Sequence, residues 1–347
     1  MRLFLKSSDE FFTSIFIRKI FLWGPFYGII LLAIILKHER RGIIMRIAVI
    51  GIGGVGGIVS SALKEAEDSL VLVCRGETAN VIKEKGLSVS SDVLGDRVIN
   101  PALVSSDPKE IGIVDTAIIC CKTYSIDSII DSYRDIIGED TLVVPLQNGV
   151  TAAEDIKERL KGAGQVADGY IYCLSNIESP GVIVNRGEML RIGIGFSDGR
   201  KNERAEELVR LLNDGGLPSV CGGAEIKTAL WEKYIMMCGN SSAFIYFDCA
   251  TGGIQESPER LDFLKGVYNE LKNVARADGA DVRETIPDEY MAAFMKNPPE
   301  SMSSLYRDIK QGKKDTEFEA IIGGGVRLAE KLGVSVPLMD KVYKKLG

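Results

Sequence analysis

From Met45 onward the chain contains no histidine; the single one is His38. That excludes Ser-His-Asp triads, Cys-His pairs and a histidine proton donor from this part of the chain. Any acid or base there must be Lys, Tyr, Cys, Asp or Glu. Lys233 stands within ALWEKYIMM, residues 229–237, a mostly apolar run of helical period. Such a lysine either packs its stem and sends the ammonium to water, or is buried. Burial lowers its pKa and makes it a proton donor near neutral pH. Spacing alone leaves both open. Further on, Ser304 and Asp308 fall one turn apart on one helical face. Glu317 follows a charged loop over residues 310–314, where a capped, solvated helix start is also a fair reading.

A second group of residues suits phosphate rather than proton transfer. Gly51-Ile52-Gly53-Gly54-Val55-Gly56 follows the apolar run RIAVI at residues 46–50 and precedes a helical pattern over residues 58–67. This is G-x-G-x-x-G between strand and helix. The first glycine permits the tight turn, the second lets backbone approach a pyrophosphate, and the third lets helix and strand pack closely. The next strand, residues 70–74, ends in Arg75-Gly76-Glu77. An arginine there can pair with a 2′-phosphate and stack on adenine, which favours NADP over NAD. Glu77 could reach the ribose instead, and Arg75 could be a plain surface residue.

The elements that must position these groups read as a doubly wound sheet. Residues 114–121 form a central strand ending at Lys122, and residues 141–146 form the next, ending at Gln147-Asn148-Gly149. Ligands of such sheets lie outside the carboxyl ends of the strands. The glycine loop, Arg75, Lys122 and Asn148 are therefore expected on one edge, with Lys122 toward cofactor phosphate or ribose and Asn148 toward the nicotinamide ribose or the substrate. Two short β-like runs follow, residues 170–175 and 189–194, with Ser179-Pro180-Gly181 between them, then an amphipathic helix over residues 201–213. Beyond the Gly222-Gly223 pair the period is helical throughout. The expected architecture is α/β: a Rossmann nucleotide-binding domain over residues 45–222 followed by an all-helical domain over residues 223–347.

In this order the G-x-G-x-x-G start, RGE, CKTY, QNGV, LWEKY, SSLYRDI and TE…IIGGGVRLAEKLGVSVP resemble the ketopantoate reductase (2-dehydropantoate 2-reductase) family. The resemblance covers residues 45–346. It implies an active site between the two domains and NADPH-dependent reduction of a 2-keto acid to a 2-hydroxy acid, the family's step toward pantothenate. By position it implies Lys233 as the donor that protonates the new alkoxide, Glu317 as a cofactor contact that organises the site, and Ser304 as a substrate contact. Lys122, Asn148 and Ser175 fall on the cofactor side. The family places asparagines one and two turns beyond the lysine and another further along. Here Met237, Ser241 and Thr251 hold those positions, with Asn240 next to one of them. A pocket that loses such side chains loses discrimination for a polar ligand. A reductase of a different keto acid, or a dinucleotide-binding regulator without turnover, are the alternatives. A homodimer through the helical domain is compatible with the resemblance.

Composition bounds the partners. The chain has 347 residues and a formal net charge of −6. With no basic surplus and no long charge run, nucleic acid is not an expected partner. The seven cysteines form no CxxC pair; they read as reduced packing residues of a cytoplasmic protein, and no metal site is expected. Residues 1–44 differ. Between Lys19 and Lys37 lie 17 uncharged residues, short for a membrane span and interrupted by Gly24, Pro25 and Gly28. This hydrophobic extension reads as upstream sequence translated through a mis-assigned start, or as a membrane anchor through residues 20–36. No small-residue cleavage site follows, which disfavours a signal peptide. Arg40-Arg41-Gly42 can be encoded by AGG-AGG-GGN, a purine tract like a ribosome-binding site just ahead of the Met45 codon. Without the extension, 35 basic and 45 acidic residues remain, a charge of −10.

Overall fold

The structure, a computed structural model, describes residues 45–346. The hydrophobic extension and its anchor reading lie outside the described residues. No described helix is long and apolar enough to cross a membrane.

The central sheet has six parallel strands: β1 (Ile47–Ile50), β2 (Leu70–Val73), β3 (Leu103–Ser105), β4 (Val114–Ile119), β5 (Ile137–Pro145) and β6 (Gln165–Val166). Their spatial order is β3-β2-β1-β4-β5-β6. Connectivity therefore reverses between β1 and β4, and the crevice at that switch point is where such sheets bind ligands. Ile47 aligns with Leu70 on one side and Thr116 on the other. The strand is unbroken β-branched and apolar sequence because both its faces are covered. Ile47 and Val49 enter one core cluster, Ala48 and Ile50 the opposite one. Each fully buried Val or Ile contributes about 1.5–3 kcal/mol.

The first helix, Gly54–Ala62, starts inside the glycine run, four residues before the periodic pattern begins. Glycines carry no side chain to mark a period, so the pattern could not place its first turn. The helix also ends early, at Ala62, and a 3₁₀ segment, Lys64–Ser69, carries the chain onward. The strand expected at 141–146 begins at Ile137, which pairs with Val114.

Two smaller sheets were only partly legible. The strands Asp168–Tyr172 and Arg191–Gly195 do pair with each other, antiparallel, with Arg191 opposite Tyr172. The Pro180-Gly181 turn, however, closes a separate nested hairpin, Ser175–Ser179 with Val182–Asn185. That hairpin joins a second one, Leu87–Ser91 with Gly95–Ile99, in a four-stranded sheet. The latter hairpin was missed, although Leu87–Ser91 alternates buried and half-buried residues in strand fashion.

The C-terminal domain is helical. Its axis is the 23-residue helix Glu225–Phe247, buried on most of its circumference and packed against Pro258–Ala277. Gly239 allows that approach, since a Cβ there would lie 2.4 Å from the Tyr268 ring. The helix stops at Asp248 in a left-handed conformation (φ +50°). Ile286–Phe294, Ser304–Lys310, a π-helical turn at Glu319–Gly323, Gly324–Lys331 and Pro337–Leu346 complete the bundle.

Candidate active site

The glycine loop sits at the carboxyl end of β1, beside the end of β4. Gly51 has φ +94°, and a Cβ there would come within 2.9 Å of the Cys121 amide nitrogen. Its N–H donates to the Val73 carbonyl at 3.1 Å, tying the ends of β1 and β2 together. At Gly56 a Cβ would meet the Gly51 carbonyl oxygen at 2.1 Å, so helix and strand pack backbone to backbone. At Gly54 it would meet the Ser175 hydroxyl at 2.6 Å.

Gly53 differs from these. No protein atom lies within 4 Å of where its Cβ would be. It is also the N-cap of the helix Gly54–Ala62, and no side chain caps that helix. The first-turn N–H groups have no intrahelical partners, and the space at Gly53 beside them is open. An open glycine cradle before uncapped amides fits a pyrophosphate. Ile52 is buried and Val55 half-buried, so within the loop they serve packing, and only their backbone can serve a ligand. Arg75, exposed and extended, lies two residues beyond β2 at the start of the helix Gly76–Lys85. That is where an adenosine ribose lies in this fold. The residues present therefore fit a dinucleotide.

Facing this edge, five polar residues form a connected chain across the two domains. The Lys233 ammonium donates to Asn148 Oδ1 at 3.0 Å. Asn148 Nδ2 donates to Glu317 Oε2 at 3.4 Å. Lys122 Nζ donates to the same oxygen at 2.7 Å, and the Thr123 hydroxyl donates to Glu317 Oε1 at 3.0 Å. Asp308 lies 3.8 Å from Lys122. Lys122 and Thr123 follow β4, Asn148 follows β5, Lys233 belongs to the long helix, and Glu317 precedes the π-helical turn. Burying a carboxylate without partners is costly; Glu317, 5% exposed, meets three donor side chains.

Lys233 is 8% exposed, so the buried reading of this residue holds. Burial lowers its pKa to about 8, against the opposing pull of the Glu317 charge and of Cys173. An ammonium with that pKa holds its proton at neutral pH yet releases it readily. Burial also works against the Lys122 ammonium, but the charge and hydrogen bond of Glu317, with Asp308, outweigh it and hold Lys122 above the ordinary lysine value. Lys122 is thus a fixed cation and Lys233 the labile one.

A cleft of about 470 Å³ opens beside Lys233. Asn148, Ser175, Asn240 and Ser304 line it with Lys233, bringing five of the expected site residues to one cavity. The Cys173 thiol also lines it, 3.1 Å from the Ser175 hydroxyl, and burial pushes that thiol's pKa up, away from thiolate chemistry. Ser241 is not among the lining residues. It is fully buried, and its hydroxyl donates to the Met237 carbonyl one turn back at 2.8 Å. Asn240 keeps a place on the wall, with its side-chain oxygen accepting from the Tyr268 hydroxyl. Sequence reasoning passed over Thr123, which clamps Glu317, and Arg307, which lines the cleft one turn from Ser304. Adjacency to Lys122 was the available signal for Thr123, and the i, i+3 spacing from Ser304 for Arg307.

Known proteins with this sequence pattern and fold carry a consistent description. The family model "Ketopantoate reductase PanE/ApbA" matches residues 47–199, and its C-terminal counterpart matches residues 225–347. An uncharacterized oxidoreductase, YkpB, of Bacillus subtilis is 24% identical over 87% of this chain and 98% of its own length. A 2-dehydropantoate 2-reductase of Pyrococcus horikoshii is 27% identical over 85% of this chain and 94% of that one. The crystal structure of 2-dehydropantoate 2-reductase from Methylococcus capsulatus superposes with a TM-score of 0.76 at 26% identity, covering 86% of this chain and 95% of that one.

Proposed function

The chain belongs to the ketopantoate reductase family, and we propose on that premise that it reduces a 2-keto acid to the 2-hydroxy acid with NADPH, Lys233 delivering the proton. The observation that carries this reading is the Lys233 ammonium: buried, hydrogen-bonded to Asn148, open to a cleft, and set in a stretch of chain without histidine.

A bound nicotinamide dinucleotide supplies the hydride. The backbone of Gly51 to Gly56 would hold its pyrophosphate, Arg75 its 2′-phosphate, and Lys122, Asn148 and Ser175 the portion nearer the reacting carbon. As the ketone carbon gains hydride, negative charge grows on the carbonyl oxygen. The Lys233 ammonium stabilises that charge and transfers a proton to it, leaving a neutral amine and a hydroxyl. Asn148 Oδ1 can accept a hydrogen bond from the ammonium before transfer and from the amine after it, so the lysine stays aimed throughout. Glu317 balances the charge of Lys122 and sets the position of Asn148. Ser304 and Asn240 face the substrate. Ketopantoate, the substrate in the names of the relatives, is the first to assay, and its reduction would place the protein on the route to pantothenate.

The pH dependence of NADPH oxidation with a 2-keto acid tests the proton donor. Only protonated Lys233 is competent, so the reduction rate is expected to fall as pH rises through about 8. The Glu317 charge raises the Lys233 pKa, so Glu317→Gln should move this limb to lower pH. A profile flat through pH 9, or a limb unmoved by Glu317→Gln, would contradict the assignment.

Cofactor choice is tested separately at Arg75. A charge-assisted hydrogen bond is worth about 1.5–3 kcal/mol, so Arg75→Asp should weaken NADPH use by roughly 10–100-fold while sparing NADH. Equal losses with both cofactors would show that Arg75 does not read the 2′-phosphate.

A further inference from the structure

We infer that the cleft takes a 2-keto acid whose side chain is a sizeable apolar group, in preference to one that carries a hydroxyl beyond the keto carbon; this rests on the reductase reading above. The long helix presents one stripe to the cleft: Lys233, Met236, Met237, Asn240 and Phe244. Beyond the lysine, that stripe is two thioethers, one amide and a phenyl ring. Three side-chain oxygens near it are already engaged. The Asn240 side-chain oxygen accepts from the Tyr268 hydroxyl. The Ser241 hydroxyl donates to the Met237 carbonyl outside the cleft. The Thr251 hydroxyl donates to the Ser301 carbonyl at 2.9 Å. A ligand hydroxyl lodged against Met236, Met237 and Phe244 would exchange water for carbon and sulfur, an exchange that costs free energy unless a hydrogen bond replaces it.

Other walls of the cleft extend the same surface. Met302 lines it, and Leu174 and Met189 stand at its rim 60% and 53% exposed. Large apolar side chains this exposed at the mouth of a cleft gain when a ligand covers them. Methionine adapts its shape to apolar groups of different outline, so four methionines suit a variable alkyl or aryl substituent better than one fixed polar pattern.

The cleft also has a charged feature suited to the acid end. Ser304 and Arg307 lie one turn apart on the helix Ser304–Lys310 and both line the cleft. The other lining arginine, Arg186, pairs with Asp92 at 3.3 Å. The Arg307 guanidinium has no hydrogen-bond or ion-pair partner among the described residues and is available to a carboxylate. The substrate would thus lie with its carboxylate toward Ser304 and Arg307, its keto oxygen at Lys233, and its side chain against Met236, Met237 and Phe244.

The test is steady-state NADPH oxidation by the full chain with ketopantoate, 4-methyl-2-oxopentanoate and phenylpyruvate. The expected result is a kcat/KM for at least one of the two apolar acids about tenfold or more above that for ketopantoate. Met237→Asn should shrink that ratio about tenfold, mainly by improving ketopantoate. Equal or better use of ketopantoate by the unaltered chain, or a ratio unmoved by Met237→Asn, overturns the inference and leaves the reductase reading intact. No turnover of any of the three acids by a chain that binds NADPH overturns both.

Discussion

Replacing Lys233 with alanine is expected to lower kcat for keto acid reduction by about 10²–10⁴, the usual contribution of a positioned proton donor. The NADPH dissociation constant should change little, because Lys233 meets the cofactor edge only through Asn148. Lys233→Arg is the sharper companion. It keeps a cation at the site, but a guanidinium does not give up its proton near neutral pH. If Lys233 served only to attract an anionic substrate, arginine would restore most of the rate. If it transfers a proton, arginine leaves the rate low and abolishes the fall near pH 8. Thermal melting should find Lys233→Ala folded, since the native chain bears the unfavourable burial of this ammonium and alanine relieves it; the same melt checks that Lys233→Arg is folded before its rate is read. An unchanged kcat in Lys233→Ala would remove the residue from the chemistry.

The second large effect concerns the glycine loop, where two neighbouring glycines should fail for different reasons. Gly56→Ala places a methyl 2.1 Å from the Gly51 carbonyl oxygen, a backbone atom that can yield only if the helix shifts from the strand. Overpacking of this kind costs about 1–3 kcal/mol, a drop of several degrees in Tm. NADPH affinity should fall at least about tenfold as the loop moves. Gly53→Ala meets no protein atom within 4 Å. Its Tm should match that of the unaltered chain, while NADPH affinity should still fall, because the methyl occupies the space a pyrophosphate would need. Fluorescence titration with NADPH and a thermal melt of both variants separate the cases. Full NADPH affinity in Gly53→Ala would mean that the open face of the loop is not where the cofactor lies.

Much of the nucleotide-binding half was legible before any coordinates. Residues 47–50 are all apolar and buried from both sides, and such a strand declares itself as a continuous run. The glycine spacing, the position of Arg75 after β2, and the polar residues after β4 and β5 are local facts about where strands end. The absence of histidine after Met45 and the apolar run around Lys233 narrowed the proton donor in the same way. These features depend on residues within a few positions of one another, so sequence periodicity reports them.

What stayed hidden depends on contacts between distant segments. Glu317 could equally have been a solvated helix start. It became a buried anchor because the last helices bring it to Lys122 and Thr123, almost 200 positions earlier. Ser241 stands at a position where the resemblance implies a polar substrate contact, yet it is fully buried and its hydroxyl is spent on backbone. The nested hairpin at Pro180-Gly181 and the Leu87–Ser91 strand found partners only through a sheet assembled from non-adjacent hairpins. Whether Lys233 would reach water or lie buried was undecidable from its neighbours in sequence, because burial is set by what packs over a residue. By itself the sequence determined a dinucleotide loop, a Rossmann sheet and a short set of candidate acids, since near-neighbour spacing encodes them. Only the tertiary structure decided which of those candidates is buried, paired and held open to a cleft, because those properties arise where two domains meet.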